Sequence, residues 1–214
     1  MPKPYHFSDK MSPHSTPWCR DHRGRIYSFD AFLELTQTFH GYAAPGVAMG
    51  AKMVDIAMTR IAPGVLYDTV CETAKCLPDA VQLLTPCTCG NGWLRVIPLG
   101  RYAVTLFDKH RGEGVRVHVD PTRLDSYPET RYWFFGIRPK RKDRTDLLIE
   151  EICQAQESIY GVQKVYVKPA LLSKELSDTR AICPECGEAY PTGHGPLCRG
   201  CRAETAYFSK GKIE

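Results

Sequence analysis

No run of about 18 apolar residues occurs in this 214-residue chain, which excludes an ordinary membrane-spanning helix. The first twenty residues, MPKPYHFSDKMSPHSTPWCR, lack the apolar stretch of a secretory signal, so a cytoplasmic protein without a membrane or lipid anchor is expected. A strong charge imbalance is missing too. The 28 basic and 24 acidic residues leave a net charge of +4, too little to imply a nucleic-acid partner. With 43% hydrophobic residues there is still material for one core of roughly 150 residues plus a small appended module.

Cysteine is what the chain has in quantity: ten residues. In a reducing compartment these read as metal ligands, reactive thiols or buried thiols rather than as a disulfide framework. Four of them, Cys183, Cys186, Cys198 and Cys201, form a C-x2-C-x11-C-x2-C array. Each pair can place two thiolates on one metal from a single tight turn, and Pro184, Gly187 and Gly200 suit such turns, so a structural Zn2+ is expected. His194 is the one plausible substitute ligand. The tail has few large apolar side chains, so a segment of about thirty residues needs a metal staple to hold a fold. Four more cysteines, Cys71, Cys76, Cys87 and Cys89, crowd a second, short region.

Residues 1–26 show no period and read as an irregular arm. Ser28 or Asp30 can cap a helix carrying Phe29, Phe32, Leu33 and Phe39 at helical spacing, with His40-Gly41 as its stop. Pro45 can open a second helix in which Gly46 and Gly50 permit close packing. Residues 65–73 alternate like a strand, and 78–85 read as a short helix that places Cys76 just before its N-terminus. Residues 93–119 then suggest three successive strands in an antiparallel meander, and 138–161 an amphipathic helix with a basic lead-in and Leu147, Leu148, Ile152 and Ile159 inward. A further strand follows it. Helices packed on a mainly antiparallel sheet make an α+β core over residues 27–176, with the four-cysteine module at 177–214.

The segments HGYAAPGVAMGAK (40–52) and CETAKCLPDAVQLLTPCTCGNGWL (71–94), followed by a cysteine-rich tail, resemble the FmdE family of formylmethanofuran dehydrogenase. The residues that carry the resemblance are His40, Gly41, Pro45, Gly46 and Gly50, then Cys76, Asp79, Ala80, Gln82, Thr85, Cys87, Thr88, Gly90 and Gly92. Tyr42 stands where the family has a second His, Pro86 replaces a Gly, and Cys89 is an extra thiol. The resemblance implies an α+β homodimer, an appended treble-clef or ribbon-like zinc finger, and a link to a molybdenum or tungsten enzyme of one-carbon metabolism. A metalloenzyme or other protein is then an expected partner.

These residues leave several chemistries open for a core pocket of His40, Cys76 and Cys87, with Tyr42, Asp79 and Cys89 beside it. One is a second, thiophilic metal. Another is a cysteine nucleophile, with Cys76 or Cys87 activated by a helix N-terminus and His40 as base. A third is a reversible disulfide. The plain alternatives are buried free thiols and a histidine that merely caps a helix. Asp79 can face the pocket or cap the helix. Cys71 and Cys153 read as core residues, and Cys19-x2-His22 is a poor candidate metal pair. Tyr132–Phe135 reads as a bulky core or dimer-interface patch. A zinc-ribbon adaptor would need Lys140, Arg141 and Lys142 to align with Arg199 and Arg202.

Overall fold

The computed structural model describes residues 16–137, 144–172 and 179–204. The chain divides into two compact units, residues 1–168 and 169–214. In the first unit, the hairpin of β1 (Pro17–Arg20) and β2 (Ile26–Ser28) leads into α1 (Phe29–His40) and α2 (Pro45–Met58). There follow β3 (Tyr67–Cys71), α3 (Leu77–Leu84), β4 (Leu94–Val96), β5 (Ala103–Asp108), β6 (Glu113–Val119), α4 (Pro128–Phe135), α5 (Thr145–Ala155) and β7 (Tyr160–Tyr166).

Both ends of α1 follow from local chemistry. The Ser28 hydroxyl accepts from the Ala31 N–H at 3.2 Å, and Gly41, at φ +92°, donates back to the Gln37 carbonyl. Pro45 opens α2, where its missing N–H costs nothing. The sheet order is β4-β3-β5-β6-β7, antiparallel throughout except for β3 and β4. Val104 and Leu106 of β5 and Val115, Val117 and Val119 of β6 join the buried cluster with α2, which is buried along most of its length.

Three expectations need correction. Part of the supposed irregular arm is core: Trp18 on β1 is 1% exposed, its Nε1 donates to the Ala48 carbonyl at 3.2 Å, and it meets Phe29 edge-on. A four-residue strand is too short to show a period, so its anchor is invisible in the sequence. The meander is also incomplete, because α3 returns the chain to the starting end of β3 and β4 therefore pairs parallel to β3 instead of antiparallel to β5. Finally, α5 spans only Thr145–Ala155. Leu148 and Ile152 are buried, but Leu147 is 55% exposed, and Ile159 is buried beyond the helix. The basic run 138–143 lies outside the described residues. The aromatic run Tyr132–Phe135 belongs to the two-turn helix α4.

One buried carboxylate ties three segments together. Glu72 takes Nε and Nη2 of Arg116 at 2.6 and 2.9 Å and Nε of Arg101 at 2.6 Å. The Arg116 hydrogen bonds, ahead of opposing burial, hold the Glu72 carboxyl below its ordinary range. A depressed folded-state pKa means that this stabilisation is fully present above the unfolded value of about 4.3 and is lost as pH falls through the folded value. Glu72→Gln should destabilise the protein by about 3–5 kcal/mol at pH 7, since it leaves Arg116 buried without its counter-charge. Urea titrations at pH 7 and pH 4 should show the deficit shrinking on acidification.

Candidate functional site

The contact between α2 and α3 builds the site. A Cβ on Gly50 would stand 2.8 Å from the Ala80 Cβ, and one on Gly46 would stand 2.9 Å from both Cβ and Sγ of Cys76. Two glycines one turn apart thus let α3 lie directly on the first turns of α2. Cys76 is the N-cap residue of α3, at φ +55° and ψ −49°. A non-glycine residue held there carries strain of about 1–3 kcal/mol. Its sulfur lies beside the N-terminal turn of α2 while the residue itself opens α3, an electropositive setting for a thiol.

His40, the last residue of α1, meets Asp79 in the first turn of α3, with Nδ1 2.5 Å from Oδ2. Their side chains are 18% and 29% exposed. Asp79 therefore orients a histidine rather than capping the helix, and the pairing of Nδ1 directs the ring's chemistry to Nε2. Tyr42, 53% exposed, stacks obliquely on His40 with ring centres 4.9 Å apart.

Cys87 does not join this group. It lies past the far end of α3, an eight-residue helix about 12 Å long. Cys87 is fully buried; its N–H donates to Thr85 Oγ1, its Sγ donates to the Tyr67 carbonyl, and burial pushes its thiol up. Cys89, on the same loop, is exposed. Burial likewise raises Cys71 and pushes Cys153 up to about 11, as suits core thiols. Cys19 is buried, and His22 Nδ1 faces the Leu84 carbonyl at the end of α3.

Sequence reasoning missed Tyr102. Its hydroxyl donates to the Gly46 carbonyl at 2.6 Å and lies 3.2 Å from the point where a Gly46 Cβ would stand. An aromatic residue before a strand reads as core, and the only signal for this contact was the glycine opposite.

In the second unit, β8 (Arg180–Ile182) and β9 (Ala189–Pro191) form a hairpin, and a wide helical turn covers Gly200–Glu204. Among the described residues, Cys183, Cys186, Cys198 and Cys201 are the one group of three or more Cys, His, Asp or Glu side chains whose ligand atoms converge, all within 4.8 Å of one another. The Cys186 and Cys198 sulfurs are 3.8 Å apart, the edge of a tetrahedron with metal–sulfur bonds of about 2.3 Å. Gly187 turns the first knuckle at φ +77°, and the Cys201 N–H donates to the Cys198 Sγ. Backbone N–H donors, that of Cys198 foremost, pull the Cys183 thiol down to about 6, whereas side-chain contacts within the cluster hold Cys201 up. Four thiolates at this spacing need a cation, and the donor set suits zinc.

Residues 39–167 match the family model described as "FmdE, Molybdenum formylmethanofuran dehydrogenase operon". The chain belongs to the FmdE family. Residues 177–208 match the FmdE treble clef zinc finger. The crystal structure of an FmdE-like protein of tungsten formylmethanofuran dehydrogenase, from Syntrophus aciditrophicus, is similar at TM-score 0.80 and 44% identity, over 89% of this chain and 99% of that one. A probable S-adenosyl-L-methionine-binding protein of Archaeoglobus fulgidus is 36% identical over 172 residues, 70% of this chain and 46% of that protein. This FmdE-family chain thus spans about half the length of that curated relative.

Cys198→Ser should leave well under one equivalent of zinc bound per chain, measured by plasma mass spectrometry. Because structural zinc supplies about 10–16 kcal/mol to small fingers, the amide resonances of residues 179–204 should also collapse to unfolded positions.

Proposed function

We propose that this FmdE-family protein is a cytoplasmic, homodimeric accessory factor that presents a thiol in its core, serving a molybdenum- or tungsten-linked one-carbon metabolism and stapled at its C-terminus by structural zinc. The observation that carries the thiol reading is Cys76 itself, held at a strained φ of +55° with its sulfur against Gly46. The printed descriptions of the family and of the Syntrophus protein supply the metabolic setting. The name of the Archaeoglobus relative adds S-adenosyl-L-methionine as a ligand to assay.

A second reading is favoured by the His40–Asp79 pair. With the histidine oriented by a carboxylate, Cys76 would act as nucleophile and His40 as base, in the manner of other cysteine-histidine enzymes. A metal in the core would need a third ligand beside His40 and Cys76, and among the described residues the only converging group is that of the finger. A nucleic-acid adaptor is disfavoured because Arg199 and Arg202 both pair with Glu204.

Peptide-resolved alkylation with iodoacetamide at pH 7 should label Cys76 at least as fast as the exposed Cys89 and far faster than Cys71 or Cys87. An inert Cys76 would sink the thiol reading. Elemental analysis of a Cys183→Ser, Cys186→Ser double variant should find no stoichiometric metal, and one equivalent retained would establish a core metal instead. Sedimentation velocity should give a dimer; a monomer would remove that part of the proposal.

A further inference from the structure

Tyr102, Gly46 and Cys76 meet at one point, and Tyr102 is the member with no role yet. Its hydroxyl has one proton, donated at 2.6 Å to the carbonyl of Gly46 in the first turn of α2. The place where a Gly46 Cβ would project is 2.9 Å from the Cys76 Sγ and 3.2 Å from the Tyr102 oxygen. The phenol ring is itself held, edge-on to Phe134 of α4 with centroids 6.3 Å apart. We propose that Tyr102 is a positioning residue for Cys76: by clamping the first turn of α2, it keeps that helix's positive end beside the sulfur and so sets the thiol's reactivity toward electrophiles. This rests on the thiol reading of the site.

The electrostatics give a direction. Asp79 on α3 opposes negative charge on the sulfur, His40 partly offsets Asp79, and Lys75 precedes Cys76 in the chain. The N-terminus of α2 favours negative charge there, and only while its first turn stays close, since the effect fades within about a turn. Burial keeps the Tyr102 phenol protonated well beyond neutral pH, so it acts as a fixed donor and not as an acid. Releasing the clamp should make Cys76 less reactive. Forcing the turn away with a methyl group should act in the same sense.

The test is peptide-resolved iodoacetamide alkylation of the full-length wild type, Tyr102→Phe and Gly46→Ala, with Cys89 as internal reference and circular dichroism as the check on folding. Tyr102→Phe should slow Cys76 relative to Cys89 by about three-fold or more at pH 7 and move the Cys76 pH–rate profile to higher pH. Gly46→Ala should shift both in the same direction, and it decides the matter if Tyr102→Phe does not fold. A Cys76 to Cys89 rate ratio and pH profile left unmoved, or moved the opposite way, overturns the role of Tyr102 while leaving the thiol reading intact. A wild-type Cys76 slower than Cys89 overturns both.

Discussion

The contact between α2 and α3 governs everything at the site. It exists because Gly46 and Gly50 put no side chain between the helices, at distances where a single Cβ would collide with Cys76 or Ala80. Close-packed interiors absorb such intrusions poorly. The same approach brings the start of α3 to the N-terminal turn of α2 and sets Asp79 within reach of His40 at the end of α1. Packing and chemistry therefore share one cause. The residues that make the helices fit are also those that place the sulfur and orient the imidazole.

The zinc module follows a different logic. Its hairpin and knuckles bury little apolar surface, so its free energy of folding comes from four sulfurs converging on one ion. The core has ample apolar burial, and Glu72 with its two arginines adds a local tie across the sheet. One unit is held by burial and the other by coordination, which is why the four-cysteine spacing was a stronger signal than any hydrophobic pattern in the tail.

What was readable in the sequence divides along the same line. Ser28 and Gly41 bound α1 and Pro45 starts α2 as local rules require, and the alternation of β6 shows its buried face. The parallel partnership of β4 and the burial of Trp18 depend on where the chain travels in space, and neither leaves a local pattern. In the site, His40, Cys76 and Asp79 were legible as residues, but their grouping was not. Cys76 and Cys87 are close in sequence, yet the length of α3 separates them, and Tyr102 enters from a different part of the chain.

The backbone at position 76 carries one more implication. A residue at φ +55° is one that glycine would occupy with less strain, so on conformational grounds alone cysteine is the poorer choice there, and the fold forgoes some stability by keeping it. Position 76 thus offers a place where stability and chemistry can be separated by experiment: a chain carrying glycine there would keep the turn while losing the sulfur, an inert scaffold against which anything that sulfur does can be measured.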